Sequence, residues 1–166
     1  MAIPTGDIVP TPEGRDLVIT RSLGLPIEEV WARLTDPHLT SGWYGTWEGA
    51  AGKGNTIQVQ MRYEEGEPWS PMRIDDCTPP IHLAISSADQ IGLWRLEVTL
   101  LDTGAATELR LVQHLTSDYQ LAEIPHIGPG WEYYADMFVA ACTQTERPDF
   151  ADYYPSMSGY YQQRSS

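Results

Sequence analysis

The strongest constraint on the fold is a series of segments between residues 43 and 115 in which apolar and polar residues alternate. In the clearest of them, residues 93–101, tryptophan, leucine and valine alternate with arginine, glutamate and threonine. A period of two is typical of a β-strand with one face on a core and one in water. Because the segments follow one another with short connections, they predict an antiparallel meander.

Helical patterns stand on both sides of this series. After Pro26, apolar residues recur at i, i+3, i+4 and i+7 up to Asp36, which predicts a short amphipathic helix, with a second helical turn at residues 38–42. Residues 129–145 carry a wide apolar stripe, so this helix should lie deep against the sheet. The order of one strand, two helices, six strands and one helix predicts an α+β fold.

The pattern predicts one domain with an extension at each end. Residues 15–146 carry the strand and helix patterns and form the domain. Residues 1–14 contain three prolines and two glycines and are predicted to be a flexible leader. Residues 147–166 are rich in tyrosine, and we expect them to pack on the domain or to form a dimer contact, since aromatic residues favour interfaces.

The net charge of −13 restricts the partners that the chain can have. A strongly acidic protein repels phosphate backbones and anionic lipid surfaces, so neither nucleic acid nor a membrane is an expected partner. No apolar run is long enough to span a bilayer and no secretory signal is recognisable, which predicts a cytoplasmic protein. In that compartment Cys77 and Cys142 are expected to be reduced thiols.

Motifs for metals, nucleotides and activated nucleophiles are absent from the sequence. The histidines and cysteines lack the spacing of a zinc site. There is no glycine-rich nucleotide loop, no Walker motif and no serine in a nucleophile elbow. We therefore predict neither a metal nor a cofactor.

Four short motifs make the chain resemble a known family. In chain order they are Val30-Trp31 with Leu34-Thr35-Asp36-Pro37, Leu39 and Trp43; Thr78-Pro79-Pro80; Gly130-Trp131 with Tyr134; and Asp152-Tyr153-Tyr154-Pro155. Together they resemble the activator of Hsp90 ATPase homolog 1-like branch of the START/Bet v 1 superfamily, over residues 15–161. Thr78 departs from this pattern, because that branch usually has aspartate there.

The resemblance implies a helix-grip fold, in which a curved seven-stranded antiparallel sheet wraps around the C-terminal helix and two short helices close one end. Across the superfamily, the space between sheet and helix binds lipids, sterols, polyketides or similar molecules. Some relatives are cyclases or hydrolases, others are carriers, and one eukaryotic branch is a cochaperone. The resemblance therefore implies the fold more firmly than the function.

Large side chains on the inward face of the predicted sheet and on the long helix are candidates for the wall of a ligand pocket, although the same residues could fill a plain core. Gln113 interrupts the apolar row of its strand, and its amide needs a partner in the backbone, a water or a ligand. The candidate ligand-binding residues are Trp43, Trp47, Met61, Trp69, Trp94, Leu111, Gln113, Trp131, Tyr134, Met137 and Phe138.

Two residues are candidates for acid–base chemistry. Asp76 is one, because burial inside the sheet would raise its pKa and suit it to proton transfer. His126 is the other, as a general base, because the resemblance places its loop at the cavity mouth. Whether Asp76 lies inside depends on which set of side chains in residues 69–77 faces inward. The two sets are Met72, Ile74 and Asp76, which we favour, and Arg73, Asp75 and Cys77.

The first function that these features predict is binding of a small hydrophobic or aromatic molecule, such as a lipid, sterol or polyketide, between sheet and helix. An alternative is a cofactor-independent enzyme of the cyclase or hydrolase type that acts on such a ligand. A second alternative is a protein-interaction or cochaperone-like module. The tyrosine-rich tail also allows a homodimer.

Overall fold

The computed structural model describes residues 2–90 and 92–165, and in them eight strands form one antiparallel sheet. Counted along the chain, neighbouring strands in the sheet follow the order first, second, eighth, seventh, sixth, fifth, fourth and third. The long strands in the middle alternate inward apolar and outward polar side chains, as the sequence predicts. The strands are β1 (Asp7–Thr11), β2 (Gly14–Leu23), β3 (Trp47–Glu48), β4 (Thr56–Gln60), β5 (Trp69–Thr78), β6 (His82–Ala88), β7 (Leu93–Asp102) and β8 (Thr107–Leu115).

The strand that the sequence did not predict is β1, in the segment expected to be a flexible leader. β1 pairs with β2 from Asp7 opposite Val18 to Thr11 opposite Gly14. The prolines made this segment look unstructured, but β1 is an edge strand, where a residue without an N–H, such as Pro10, is tolerated. The expectations of a loose leader at these residues and of seven strands are therefore wrong.

A bulge in β5 changes which of its side chains face inward. Ile74 and Asp76 pair with adjacent residues of β6, so β5 contains one extra residue at this point. An extra residue reverses the alternation of side chains beyond it. The prediction that Ile74 and Asp76 share the inward face is therefore wrong at Asp76, and Cys77 lies on the inward side.

A long helix, α4, packs on the inner face of the sheet. It begins at Ile124, five residues before the predicted start near Pro129. The later start was expected because a proline inside a helix removes one backbone hydrogen bond. The N–H groups of His126 and Ile127 already bond to the carbonyl of Glu123 at 2.9 Å. The helices are α1 (Ile27–Thr35), α2 (Pro37–Thr40), α3 (Asp118–Ala122), α4 (Ile124–Thr143) and α5 (Ser158–Ser165), with a 3-10 turn at Phe150–Asp152.

The core surrounds α4 on two sides. One cluster joins α1, β7 and β8 to the Phe138 and Cys142 side of α4. A second cluster joins β2 to Ala135 of α4 and to the C-terminal segment. None of the helices in residues 2–90 and 92–165 is long and apolar enough to cross a bilayer.

Glu132 of α4 is fully buried and is hydrogen-bonded to both ends of the chain. Its carboxylate accepts from the N–H of Thr5 at 2.6 Å, the N–H of Gly6 at 3.0 Å and the phenol of Tyr161 at 2.5 Å, and it pairs with Arg21 at 3.0 Å. Burial alone would raise the pKa of Glu132, but these hydrogen bonds lower it overall. We call these five residues the terminal clasp.

The C-terminal segment packs on the domain beside the terminal clasp. Tyr153, Met157 and Tyr161 are buried in the cluster that α4 and β2 share. The approach to α4 is close, since a Cβ added at Gly128 would lie 2.5 Å from the Tyr161 ring. Glycine at this position is what allows the tyrosine to lie against the helix.

Candidate functional site

A cavity of about 470 Å³ lies between the inner face of the sheet and α4. Its wall is formed by β4 to β8, by the segment between α2 and β4, and by one stripe of α4 that contains Ile127, Gly130, Tyr134 and Phe138. Most of the lining side chains are aliphatic or aromatic. Those on the sheet include Ile57, Val59, Met72, Leu83, Leu96 and Val98.

The structure brings together nine of the eleven side chains that the sequence suggested for the pocket wall: Trp43, Trp47, Met61, Trp94, Leu111, Gln113, Trp131, Tyr134 and Phe138. Trp69 does not line the cavity, because it lies on β5 in the opposite alternation to Met72 and is 45% exposed. Met137 is buried in the core but does not reach the cavity.

Two tryptophans of the wall are held by the end of α1. The indole N–H of Trp43 donates to the carbonyl of Arg33 at 2.8 Å, and that of Trp47 donates to the carbonyl of Thr35 at 2.8 Å. The last carbonyls of a helix have no partner within the helix, so these bonds satisfy both groups at once. The two rings are thereby fixed at one side of the cavity.

Gln113 is the polar residue that the sequence placed on the inward face, and it lies there, 3% exposed. Its amide nitrogen donates to the carbonyl of Arg95 at 2.8 Å, and its amide oxygen accepts from the indole N–H of Trp131 at 2.9 Å. The sequence left open whether Gln113 bonds to the backbone, a water or a ligand. In the structure its partners are a backbone carbonyl and the indole of Trp131. The bond orients Trp131 as part of the cavity wall.

A group of three residues with ionisable side chains marks the exposed end of the cavity. The phenol of Tyr134 donates to the carboxylate of Glu64, which lies in the turn between β4 and β5. The Tyr44 ring lies 5.0 Å from the Tyr134 ring, centroid to centroid. We call these three residues the mouth group.

The phenols of the mouth group stay neutral at ordinary pH. Burial, with the nearby charge of Glu64, raises the pKa of Tyr44 to about 12. Burial and the hydrogen bond to Glu64 raise the pKa of Tyr134 as well. Both phenols therefore keep their protons, and that of Tyr134 donates to Glu64.

Sequence reasoning missed Tyr44 and Glu64. Tyr44 directly follows Trp43 of the first motif, and this adjacency was the one available signal. Glu64 gave no signal, because an acid in a turn between strands is typical of a solvated surface.

The model of the family described as activator of Hsp90 ATPase homolog 1-like protein matches residues 24–143. This range includes α1, the strands that line the cavity and α4. The chain belongs to this family. The match confirms the resemblance carried by the motifs, the last of which lies beyond the matched range.

Solved structures share the fold of this family member. The crystal structure of CalU16 from Micromonospora echinospora has a TM-score of 0.76 at 21% identity, over 98% of this chain and 97% of that one. The protein BPP1335 from Bordetella parapertussis has a TM-score of 0.76 at 21% identity, over 99% and 93%. DynU16, a protein in the dynemicin biosynthetic locus, has a TM-score of 0.68 at 20% identity, over 80% and 48%.

These similarities confirm the helix-grip fold, with eight strands in place of seven. At such identities they show the fold alone. Among curated proteins, none matches this sequence.

The two acid–base candidates lie away from the cavity of this family member. Asp76 faces outward beyond the β5 bulge and bonds to Nδ1 of His82 at 2.5 Å. His126 lies in the first turn of α4, where it is largely exposed and pairs with Glu123 at 2.8 Å. Neither side chain lines the cavity, so the sequence prediction that they serve the pocket is wrong.

Asp76 belongs to a row of carboxylates and imidazoles that crosses the outer face of the sheet. Glu97 lies at its centre and bonds to His82 at 3.0 Å and to His114 at 2.5 Å, and the far nitrogen of His114 bonds to Asp16 at 2.8 Å. We call these five residues the outer-face network. Within the described residues, no group of three or more His, Cys, Asp or Glu has an arrangement that could hold a metal ion.

Proposed function

We propose that this chain binds a small hydrophobic or aromatic molecule, of lipid, sterol or polyketide type, in the cavity between the sheet and α4. The observation that carries the proposal is the cavity itself, about 470 Å³ lined mainly by aromatic and aliphatic side chains. Small-molecule sites have volumes of roughly 300–1,000 Å³. Protein interiors are otherwise close-packed, so a space of this size is suited to a bound small molecule.

The polar groups around the cavity fit the same function. Ligand sites are mostly apolar, with a few polar groups that orient the ligand. Ser86 and Ser87 of β6 line the cavity, as does Gln113 two strands away. A hydroxyl or carbonyl group on a ligand could bond to these side chains, while the tryptophans of the wall cover its apolar faces.

Membership of the family supports the proposal through the fold. The matched range contains the cavity, so the space belongs to the part of the chain that the family shares. DynU16, which has this fold, is a protein in the dynemicin biosynthetic locus.

A thermal-shift panel of neutral polycyclic aromatics, sterols and lipids tests the proposal. A ligand at about 100 times its Kd stabilises the folded state by about 2.7 kcal/mol, which raises the midpoint of unfolding measurably. We expect at least one class of compound to do so in the wild-type protein.

A matched pair of variants shows whether the binding is in the cavity. Gly130 lies on the cavity stripe of α4, and a Cβ there meets no heavy atom within 4 Å, so Gly130→Leu should place a side chain in the cavity. Gly159 in α5 also has open space around it and is exposed, so Gly159→Leu is the control. The shift should be lost in the first variant and kept in the second. Equal shifts in both would place the binding elsewhere, and no shift with any compound would contradict the proposal.

A further inference from the structure

The exposed end of the cavity combines aromatic rings with one carboxylate. Glu64 is the one charged side chain among the described residues that line the cavity, and no lysine, arginine or histidine is among them. The rings of Trp43, Tyr44, Tyr134 and Trp131 follow one another around this end, with centroids 5.0 to 5.9 Å apart between neighbours. A ligand at this end of the cavity therefore lies beside a carboxylate and several π faces.

Part of the Glu64 carboxylate is unused. One oxygen, Oε2, accepts from the phenol of Tyr134, and within the described residues the other oxygen has no hydrogen-bond partner. No described cationic side chain is within salt-bridge distance of Glu64. Arg62, two residues before Glu64, and Arg147 both lie over the Tyr63 ring.

We propose that the ligand of the cavity carries an amine, whose ammonium group lies at the mouth group, against Glu64 and the faces of Tyr44 and Tyr134. This inference rests on the proposed function and specifies the chemical class of its ligand. An ammonium group gains from both neighbours, because a carboxylate forms a charge-assisted hydrogen bond with it and an aromatic face attracts it electrostatically.

The charge of the rest of the molecule acts in the same direction. The net charge of −13 raises the local concentration of cations around the protein and lowers that of anions. A carboxylate ligand would meet Glu64, and the described residues of the cavity wall include no cation to pair with it. The raised pKa values of Tyr44 and Tyr134 keep both phenols neutral, so these residues meet a ligand through their π faces.

Three fluorescent probes of one shape test the inference: pyrenemethylamine, pyrenemethanol and pyrenecarboxylic acid, titrated against the full chain at neutral pH. We expect the amine to bind at least about tenfold more tightly than the alcohol, since a charge-assisted hydrogen bond to Glu64 and the cation–π contacts act together. The acid should bind more weakly than the alcohol. Added salt should reduce the difference between amine and alcohol, because it screens the contact at this exposed end.

Two neighbouring acids give a matched pair of variants. Glu64→Gln should weaken binding of the amine about tenfold and leave binding of the alcohol within about twofold of wild type. Glu65→Gln makes the same change of charge at the next position, which is exposed and does not line the cavity, so it should change neither probe by more than about twofold.

The outcomes separate this inference from the proposed function. If the alcohol binds as tightly as the amine, or the two variants behave alike, the inference is wrong while binding in the cavity stands. Tighter binding of the acid than of the amine would also overturn it. If none of the three probes binds, both the inference and the proposed function fail for ligands of this size.

Discussion

The two sides of α4 are built in opposite ways. On one side, Glu132 is fully buried in the terminal clasp, where both ends of the chain donate hydrogen bonds to it. On the other side, Tyr134, two residues further on, faces a cavity of about 470 Å³. The segments near residues 5 and 161 therefore anchor the Glu132 side of α4, whereas its Tyr134 side is open to the cavity.

The two sides also differ in their relation to the family. The cavity lies within the matched residues 24–143. Glu132 lies in that range too, but the groups that bond to it, on Thr5, Arg21 and Tyr161, lie outside it. The clasp therefore joins Glu132 of the matched range to residues on both sides of that range.

Glu132→Gln should have the largest effect on stability, because it removes the charge that pairs with Arg21 inside the protein. Breaking a buried ion pair by changing one partner costs about 3–5 kcal/mol. We expect a loss of about 3 kcal/mol in the free energy of unfolding by urea denaturation. Glu146→Gln, at an exposed position, is the control and should stay within about 0.5 kcal/mol of wild type. Equal stability of the two variants would contradict the role of the clasp.

The acid limb of the stability profile gives a second test of Glu132. The pKa of Glu132 is lowered below its ordinary value of 4.5, so its contribution is complete above that pH and is lost as the pH falls through the lowered value. Wild type should therefore lose more stability on acidification than Glu132→Gln does. Parallel profiles for the two proteins would count against a charged Glu132 in the folded state.

Gly128→Ala should destabilise the protein by about 2 kcal/mol, as overpacking usually does. The new methyl group would lie 2.5 Å from the ring of Tyr161, which is fully buried and has little room to move. Thermal and urea unfolding of the variant measure the loss. A variant as stable as wild type would show that the C-terminal segment is not held against α4 as described.

Gly130→Ala should have the opposite sign. A Cβ at Gly130 meets nothing within 4 Å, so the substitution adds only the helix propensity of alanine, about 1 kcal/mol of stabilisation. The two glycines lie two residues apart in one helix, which makes them a direct comparison of its closed and open sides. Destabilisation by Gly130→Ala would mean that the cavity side is packed after all.

The outer-face network should give the smallest effect, because its side chains are partly exposed and solvent screens them. The hydrogen bond to Asp76, with that to Glu97, raises the pKa of His82 above 6.5. A raised pKa means that the stabilisation is complete below the ordinary value and is lost as the pH rises through the raised value. The midpoint of thermal unfolding should therefore fall as the pH rises above 6.5 and through the raised pKa of His82.

His82→Gln should flatten this fall, whereas His38→Gln should not. His38 is exposed and lies outside the network, so it is a matched control. An unchanged slope in His82→Gln would show that the network contributes nothing to the pH dependence.

The sequence predicted the features that depend on local pattern. The alternation in residues 93–101 and the stripe of α4 gave the sheet, the helix and most of the cavity wall. Gln113 was placed on the inward face correctly because its strand keeps a strict period of two. α3 was missed although Ser117 and Gln120 form a capping box, which is a readable signal for a helix start.

The features that the sequence did not predict depend on contacts between distant segments or on backbone irregularity. The β5 bulge turned Asp76 outward, and one extra residue in a strand has no signature in the alternation itself. Glu64 and Tyr134 are 70 residues apart and meet only in the folded chain. Thr5 and Glu132 are separated by 127 residues, so the clasp was likewise invisible.

Native mass spectrometry of the protein incubated with pyrenemethanol shows directly whether a ligand binds beneath α4. We expect a one-to-one complex for wild type and for Gly159→Leu, lost on denaturation, and a much weaker complex for Gly130→Leu. Binding in the cavity beneath α4 would be contradicted by either of two results. One is a spectrum that shows just the free protein at an excess of probe, and the other is equal complexes in all three proteins.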